Sequence, residues 1–409
     1  MDMEIGPILS SLRRNKVGAT LIALQVALTI GVLCNALFII EQQTALSRAP
    51  SGVADEANVF LVANRWIKST TDLEGLMRSD LAALRALPQV ADVTVSPVQP
   101  LGGRGMGMGI SLHAERRGSG SLTAVFPVDD HALNTLGLKL IAGRNFRPDE
   151  VLVSHNLRDF YSSWGVLIVT RQLARALDAE GNVLGRKVTL APMGITATIV
   201  GIVDRLATGQ FSADSAIAQN SILAPLLWID TDCFYIVRAR PGQLASGERA
   251  ARAALNDISR QRTIADMQSL ADARHDFYRG ARGEALLMGV ICAILLGITA
   301  LGIVGLTSYW VSQRRRQIGI RRALGATAAN ILRYFQTENL LIVGAGSALG
   351  VILGITGNLW LVRSMALERL PAHYLLVGTL VVLALGQVAV LWPAARAAAV
   401  PPAIAARGP

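Results

Sequence analysis

The sequence predicts a membrane protein of the α-helical class, with four transmembrane helices and a large α+β domain inserted between the first helix and the second. Two observations carry this prediction. Four apolar stretches contain no charged residue, and one long segment of mixed patterning separates the first two of them. Apolar residues make up 52% of the chain and charged residues 17%, against about 25% charged residues in an average globular protein.

Each apolar stretch is long enough to cross a membrane, since a helix needs about 20 residues to span a hydrocarbon core about 30 Å thick. We expect the spans at residues 17–40, 285–311, 339–362 and 375–393. The first is too long for the apolar region of a signal peptide, so we interpret it as a retained span. The intervals are an outer segment at 41–284, a link at 312–338, a short hairpin at 363–374 and a tail at 394–409.

Arginine residues cluster before the first span, between the second and the third, and after the fourth. Because positive residues near spans stay on the cytoplasmic side, we expect both termini and the link in the cytoplasm and the outer segment in the periplasm. The protein would then be a multi-pass protein of the bacterial inner membrane. This placement accounts for the net charge of +10, and no aromatic-studded basic strand favours nucleic-acid binding.

The predicted spans contain no charged residue, whereas ion pumps and proton-coupled carriers usually keep an acid or a base inside the membrane. The pattern therefore argues against a carrier of that class. In the third span Gly346, Gly350 and Gly354 recur at every fourth position. Small residues at this spacing line one face of a helix, so we expect that face to pack closely against another helix.

The outer segment alternates between helical and strand-like periodicity. Residues 73–87 have apolar residues at helical spacing, and residues 90–98 alternate as a strand does. Further strands are expected at residues 166–169, 187–190, 196–203 and 234–237, and further helices at 173–177 and 247–258. The mixture predicts an α+β domain with one subdomain inserted into another. Residues 265–283 are polar and helical in pattern, and we expect them to extend the second span outward.

Three motifs in the outer segment resemble known sites only superficially. The glycine-rich run Gly102–Gly109 fits no dinucleotide-binding pattern and is interpreted as a flexible loop. Gly181–Lys187 lacks the spacing of a P-loop and is interpreted as a turn before a strand, and Asp129–His131 is expected to begin a helix rather than to bind metal. We predict no catalytic, cofactor-binding or metal-binding residues. Small buried residues without a disulfide are expected at the three cysteines, Cys34, Cys233 and Cys292.

The link between the second and third spans is the most informative segment. It reads Gln-Arg-Arg-Arg-Gln-Ile-Gly-Ile-Arg-Arg-Ala-Leu-Gly-Ala from Gln313 to Ala326, and it continues to Glu338. Positive charge beside a span explains the number of arginines but not their order. The order predicts a basic helix, a Gly-Ala turn and a second helix that leads into the membrane.

The link resembles the permease domain of MacB-type and FtsX-like ABC transporters. The signature of that family is Arg-x-x-Glu-Ile-Gly-Ile-Arg-Arg-Ala-Leu-Gly-Ala, followed by a helix with Phe and Glu. The resemblance covers nearly the whole chain, and it places an amphipathic cytoplasmic helix at residues 1–16. Further segments that resemble the family, in order along the chain, are Leu12–Lys16, Ala142–Phe146, Leu184–Val188, Ile199–Val203 and Trp392–Pro402.

The resemblance implies a dimeric permease, either a homodimer or a heterodimer with a second permease, on a pair of ABC ATPase subunits. The sequence contains no Walker motif, so ATP and Mg²⁺ would be bound by the partner ATPase, and this chain would be a non-catalytic subunit without a cofactor. A periplasmic adaptor, an outer-membrane channel and membrane lipid are further implied partners. The implied lobes of the outer domain are a porter-like lobe at about 42–124 and 221–264, a smaller inserted lobe at about 125–220, and a stalk at about 265–284.

The link would be the coupling segment that rests on the ATPase, whose ATP-driven closure would move the stalk and the outer domain; this is called mechanotransmission. Gln317 stands where the family usually has Glu. We therefore hypothesise that the chain is the divergent half of a heterodimer. The implied coupling residues are Arg314, Arg316, Gln317, Ile318, Gly319, Arg321, Arg322, Ala323, Leu324, Gly325 and Ala326.

The leading function is efflux of a peptide, an antibiotic or a siderophore. Lipoprotein release and control of cell-wall hydrolases are alternatives within the same class. A signalling receptor with an outer sensor domain is a more remote alternative, because the few residues after the fourth span leave no room for a kinase. No arrangement of residues in the sequence supports an enzyme.

Overall fold

The computed structural model describes residues 16–67, 72–102, 106–112, 120–156, 164–192, 194–207, 219–265, 267–365 and 369–398. The chain forms two compact units. We call Met1–Ala45 with Ala281–Pro409 the membrane unit, and Leu46–Gly280 the inserted unit.

The described helices are α1 (Lys16–Arg48), α2 (Leu73–Arg85), α3 (Ala132–Leu136), α4 (Arg171–Leu177), α5 (Leu244–Ile258), α6 (Leu270–Phe277), α7 (Arg279–Gln313), α8 (Arg315–Ala323), α9 (Ala328–Met365) and α10 (Ala372–Ala398). The described strands are β1 (Val59–Trp66), β2 (Val90–Ser96), β3 (Met106–Ser111), β4 (Ser121–Val128), β5 (Leu140–Gly143), β6 (Leu152–Ser154), β7 (Gly165–Thr170), β8 (Lys187–Ala191), β9 (Ile195–Val203), β10 (Ser221–Trp228), β11 (Asp232–Ala239), β12 (Arg262–Ile264) and β13 (Gln268–Ser269).

Among the described residues, four helices are long and apolar enough to cross a membrane, which confirms the four predicted spans. The spanning portions are Lys16–Ala45, Arg279–Gln313, Ala328–Trp360 and Ala372–Arg396. They exceed the predicted spans because the polar residues at their ends continue the helices. Residues 1–15 of the predicted amphipathic helix and most of the predicted tail lie outside the described residues.

Helix α1 lies at the centre of the membrane unit. Half of the residues in its apolar stretch are buried, whereas only 17% are buried in the apolar stretch of α7. Its residues Val26 and Ile30 are fully buried in a core with residues of the other three spanning helices. Thr29 and Thr299 join α1 to α7 through hydroxyl oxygens 2.8 Å apart. Asn35 of α1 donates to the carbonyl oxygen of Gly354 in α9 at 3.2 Å. Such hydrogen bonds hold helices together where lipid offers no alternative partner.

The inserted unit contains an antiparallel sheet in the order β12-β1-β11-β2, with β13 also paired to β1, as far as the described strands show. Side chains alternate between its two faces. On one face Phe60 and Tyr235 pack against α2 and α5. On the other face Leu61 and Ile236 belong to a separate apolar cluster. The sheet is therefore buried on both sides.

A second group of strands in the described part of the inserted unit closes into a six-stranded ring. Its order is β4-β3-β8-β9-β7-β10, and the parallel pairing of β10 with β4 completes the circuit. Strands β5 and β6 pair with β9 and β10 outside the ring. Buried residues such as Ile110, Leu167 and Ile199 form its core. Closure leaves these six strands fewer unpaired edges than an open sheet would have.

The ring packs against the second face of the sheet. Leu61 and Ile236 from the sheet share an apolar cluster with Phe126 and Leu223 from the ring. Polar contacts join the two parts at the end of β4. There the carboxylate of Asp129 accepts hydrogen bonds from Arg85 and Thr94, each at 2.6 Å. The inserted unit thus has three layers, formed by helices, sheet and ring.

A buried ion pair fixes β12 to α2. Arg262 donates two hydrogen bonds to Asp80, at 2.6 and 2.8 Å, and both side chains are completely buried. Tyr235 donates a third to Asp80 at 2.6 Å, and the guanidinium lies 3.8 Å from the centre of the Trp66 ring. Burial also raises the pKa of the neighbouring Cys233 thiol to about 12, so this cysteine is a protonated, unreactive core residue.

The α+β class of the inserted unit is confirmed, but its internal boundaries differ from the expected ones. The lobes implied by the resemblance change at about residues 124/125 and 220/221. The first of these positions falls inside β4, and the strands of the ring extend from residue 106 to residue 228. The difference arises because β10 pairs with β4 and β7 rather than with the sheet. The expected turn at Gly181–Lys187 is confirmed, since β8 begins at Lys187.

Two local expectations were wrong. Part of the glycine-rich run forms β3, because Met106–Ile110 pairs with β4, whereas residues 103–105 lie outside the described residues. The polar stretch 265–283 does not form a single extension of the second span. Ser269 caps a separate helix, α6, by accepting a hydrogen bond from the Asp272 amide at 3.0 Å, and α7 begins anew at Arg279.

Asp129–His131 precedes α3 as expected. The carboxylate of Asp129 accepts a hydrogen bond from the backbone N–H of His131 at 3.2 Å. Its other contacts reach α2 and β2, so this residue holds layers together besides ordering the start of the helix.

Candidate functional site

The candidate site is the segment of residues 314–338 in the membrane unit, which we call the basic link. It joins α7 to α9 and contains the short helix α8. It carries six arginines against one acidic residue, Glu338. The arginines are Arg314, Arg315, Arg316, Arg321, Arg322 and Arg333. The link therefore presents a strongly positive surface where two spans meet.

The end of α8 explains the Leu-Gly-Ala order of the sequence. Gly325 has φ +99°, a left-handed conformation that costs a residue with a side chain about 1–2 kcal/mol. Its amide donates to the carbonyl oxygen of Arg322 at 3.1 Å, and the amide of Ala326 donates to that of Arg321 at 3.0 Å. These two bonds are the Schellman pattern, which ends a helix at a glycine.

The next helix begins immediately. The hydroxyl oxygen of Thr327 accepts a hydrogen bond from the Asn330 amide at 3.3 Å, at the first turn of α9. A threonine in this position satisfies an amide that has no partner within the helix. Only four residues therefore separate the end of α8 from the start of α9.

One side of α8 is anchored in the membrane unit. Ile318 is 8% exposed and Gly319 is buried beside it, where the helix packs against α10. Ile331 and Phe335 from the start of α9 join the same apolar core. These contacts determine which side of α8 faces outward.

An ion pair holds the two ends of the basic link together. Nη1 of Arg314 lies 3.1 and 3.0 Å from the two carboxylate oxygens of Glu338, which is 1% exposed. The guanidinium also lies 5.8 Å from the centre of the Trp310 ring. The adjacent Asn339 donates to the carbonyl oxygen of Gly386 in α10 at 3.0 Å. The link is therefore attached to three of the spanning helices.

The opposite side of α8 is exposed and combines apolar and basic residues. Ile320 is 51% exposed and Leu324 is 83% exposed. They are four residues apart, so they lie on one side of the helix. The guanidinium of Arg321 lies 5.2 Å from the centre of the Tyr334 ring, which orients it beside this surface. We call the exposed residues Arg316, Gln317, Ile320, Arg321 and Leu324 the docking face.

The structure divides the implied coupling residues into three groups. Buried or anchored residues are Arg314, Ile318 and Gly319. Half-buried residues are Arg322 and Ala326, and exposed residues are Arg316, Gln317, Arg321, Ala323, Leu324 and Gly325. Sequence reasoning did not assign a role to Ile320 or Tyr334. The four-residue spacing of Ile320 and Leu324 was the signal that could have identified the exposed apolar pair.

The glycines of α9 lie against other helices. A Cβ atom at Gly346 would lie 2.7 Å from the Ala23 carbonyl oxygen, and one at Gly350 would lie 2.8 Å from the Ile30 Cβ. Both contacts are with α1. At Gly354 the nearest atom would be Cδ2 of Leu375 in α10, at 3.4 Å. The first two distances are shorter than carbon or oxygen contacts allow, so α9 requires glycine there to approach α1 this closely.

The exposed groups of the basic link are suited to binding another molecule through apolar contacts and ion pairs. Within the described ranges, no group of three or more His, Cys, Asp or Glu side chains could hold a metal ion. An exposed aliphatic pair among arginines matches a protein surface that has an apolar pocket with acidic residues around it.

Comparisons with known proteins agree with this architecture. A model of the MacB-like periplasmic core domain matches residues 24–255, which is more than half of the chain. A model of the FtsX-like permease C-terminal region matches residues 289–402, which include the whole basic link. The chain belongs to the MacB-like and FtsX-like ABC permease family. The family resemblance inferred from the sequence is thereby confirmed.

Two relatives in this permease family illustrate the degree of similarity. The macrolide export ATP-binding/permease protein MacB of Chromobacterium violaceum is 26% identical over 221 residues, which are 53% of this chain and 32% of that protein. The ABC transporter permease YvrN of Bacillus subtilis is 23% identical over 293 residues, which are 65% of this chain and 66% of that protein. The chain thus matches about a third of the length of the first relative and just under two thirds of the second.

Among solved structures, the periplasmic region of MacB from Actinobacillus actinomycetemcomitans is similar to this permease over 55% of the chain and 94% of that structure. The identity is 12% and the TM-score is 0.33. Membership of the family is shown by the two family models.

Proposed function

We propose that the chain is the membrane subunit of a MacB-type ABC transporter that couples ATP hydrolysis by a separate ATPase to movement of the inserted unit. The docking face of α8 is the observation that supports this proposal most directly. It places two exposed aliphatic side chains, Ile320 and Leu324, among arginines, and α8 is anchored on its other side by Ile318. A force received at this face would pass to the spanning helices.

The ATPase belongs on a partner chain in this proposal. The 409 residues contain no Gly-x-x-x-x-Gly-Lys-Ser/Thr sequence, which is the Walker motif. ATP and Mg²⁺ would therefore bind to the partner, and one ATPase subunit would meet each permease subunit of a dimer. Residue Gln317, exposed on the docking face, would meet the partner without the negative charge that the family usually places there. A second permease with Glu at this position would make the pair a heterodimer.

The proposed orientation follows from the arginines. The basic link would lie in the cytoplasm, where the ATPase is, together with both chain termini. The inserted unit would then be in the periplasm and the spans in the bacterial inner membrane. Because no charged residue lies within the predicted spans, we propose that cargo such as a peptide or an antibiotic is moved by the inserted unit rather than through the spans. A periplasmic adaptor and an outer-membrane channel would complete the efflux path.

Coexpression with a candidate ABC ATPase from a neighbouring gene tests the proposal. We expect the two proteins to copurify and the permease to change the ATPase rate. Reversing two charges of the basic link, with Arg321→Glu and Arg322→Glu, should abolish that change. The matched control is Arg240→Glu with Arg249→Glu, which reverses two exposed arginines of the inserted unit. Failure to copurify, or an unchanged ATPase rate in the link variant, would exclude the coupling role.

A further inference from the structure

Arg274 connects the two segments through which the chain passes into and out of the inserted unit. Residues 46–58 form the incoming segment after the first span, and α6 belongs to the outgoing segment before the second. From α6, Nη1 of Arg274 donates to Oε1 of Glu56 at 2.9 Å. Its Nη2 donates to the carbonyl oxygens of Ser47, at 3.3 Å, and of Ala49. One side chain thus binds three acceptors of the incoming segment.

The ion pair between Arg274 and Glu56 is partly buried, and a further hydrogen bond orients its carboxylate. The side chains of Arg274 and Glu56 are 20% and 17% exposed. The hydroxyl of Ser51 donates a further hydrogen bond to Oε1 of Glu56, which orients the carboxylate toward Arg274. A guanidinium has five donors in a rigid plane and can serve several acceptors at once, whereas a lysine ammonium acts as a point charge. The arrangement therefore requires arginine.

The helices that continue from these segments are also connected within the membrane unit. Thr29 and Thr299 bridge α1 and α7 at 2.8 Å. Nearer the ends that lead to the inserted unit, Gln43 donates to the carboxylate of Glu284 at 3.4 Å. The first and second spans are thus joined to each other within the membrane unit, and the segments that follow and precede them are joined within the inserted unit.

We propose that Arg274 is a positioning residue that makes the first and second spans move together where they join the inserted unit. We call the hydrogen bonds of Arg274 to the incoming segment the tie. With the tie in place, a displacement of either span moves both the incoming and the outgoing segment. Without it, the two segments move separately and part of the movement is not transmitted to the inserted unit. The inference rests on the proposed function, because the tie matters for transport only if ATP-driven movement passes along these helices.

The first measurement is backbone hydrogen exchange in the full chain, reconstituted in lipid nanodiscs. Arg274→Ala should raise the exchange rate of residues 46–58 by about tenfold, because charge-assisted hydrogen bonds of this kind are lost. Arg274→Lys should show a smaller rise. Arg279→Ala is the matched control, since this arginine follows in the same region but is 73% exposed in its pair with Asp276. It should leave the exchange rate unchanged.

The second measurement is ATPase stimulation in the complex with the partner ATPase. Arg274→Ala should still copurify with the ATPase but lose most of the stimulation, and Arg279→Ala should keep it. A short bismaleimide bridge between Ser47→Cys and Arg274→Cys should restore stimulation, because it replaces the tie covalently. The same double variant without the bridge should remain uncoupled.

Each outcome decides a different part of the proposal. Unchanged exchange in Arg274→Ala would overturn the tie itself. Faster exchange with unchanged stimulation would show that the tie serves folding alone and would overturn the positioning role. If the wild-type chain neither binds nor stimulates the ATPase, the proposed function fails, and the exchange measurement still decides whether the tie exists.

Discussion

Arg314 and Glu338 form an ion pair across the basic link, with Nη1 of the arginine 3.1 and 3.0 Å from the two carboxylate oxygens. The residues are 24 positions apart, and Glu338 is 1% exposed. Glu338→Gln removes the negative charge that faces the largely buried guanidinium of Arg314. We predict that Glu338→Gln lowers the free energy of unfolding by about 3 kcal/mol, measured by thermal unfolding in detergent. Arg315→Gln, an exposed arginine one residue away, is the control, and an equally small effect of both would contradict the prediction.

Gly350 and Gly357 provide a matched pair within α9. A Cβ at Gly350 would lie 2.8 Å from the Ile30 Cβ and 2.9 Å from the Ala27 carbonyl oxygen, whereas a Cβ at Gly357 would meet nothing within 4 Å. We predict that Gly350→Ala destabilises the membrane unit by about 2 kcal/mol through overpacking. Gly357→Ala should be neutral or slightly stabilising, because alanine favours helix. Equal melting temperatures for the two variants would show that close approach to α1 is not what requires glycine.

Leu324 is 83% exposed at the end of α8, so its substitution should not affect folding. We predict that Leu324→Asp keeps the wild-type melting temperature and weakens ATPase binding by about tenfold or more, since a buried leucine contributes about 1.5–3 kcal/mol. Binding can be measured by titrating purified ATPase onto the permease in nanodiscs. Leu184→Asp, an exposed leucine of the inserted unit, should bind as the wild type does. Unweakened binding in Leu324→Asp would remove Leu324 from the interface.

Glu150 makes the free energy of unfolding of the inserted unit depend on pH. Two hydrogen bonds from Arg144, at 2.6 and 2.7 Å, hold the pKa of Glu150 below its ordinary value of 4.5. A carboxyl group with a lowered folded-state pKa contributes stability above its unfolded-state pKa, and this contribution disappears as the pH falls through the folded-state pKa. We therefore predict that Glu150→Gln is less stable than the wild type at about pH 6 and that the difference shrinks toward about pH 3.

Urea unfolding of the full chain in detergent at several pH values measures this difference. Asp149→Asn alters the adjacent, exposed carboxylate. Its difference in free energy of unfolding from the wild type should change less with pH. A gap between wild type and Glu150→Gln that stays constant from neutral to acid pH would contradict the assignment.

The four spans, and the succession of helix, turn and helix in the basic link, could be predicted because their physical signals are local. About 20 uncharged apolar residues have one stable arrangement in lipid, and a Leu-Gly-Ala sequence after a basic helix suits a left-handed helix end such as that at Gly325. The short strand Val166–Val169 was also recognisable from its apolar run, and Lys187–Leu190 from its strand-like pattern; they lie within β7 and β8.

The contacts that hold the inserted unit together could not be predicted, because they join distant positions. Asp80 and Arg262 are 182 residues apart, and neither has a neighbour in the sequence that indicates its partner. Met106–Ile110 contains two glycines and suggested a loop, but pairing with β4 overrides the low strand propensity of glycine. Arg274 resembled any other arginine of a polar stretch, since its acceptors are mainly backbone carbonyl oxygens.

The ring begins and ends at neighbouring positions of the antiparallel sheet. The chain leaves the sheet after Ser96 and returns to it before Phe234, and these two residues are paired neighbours on β2 and β11. A hairpin of a few residues would be enough to join them directly. The ring is therefore an insertion with adjacent ends, and a different insertion could replace it without breaking the sheet, provided that it covers the apolar face around Leu61 and Ile236.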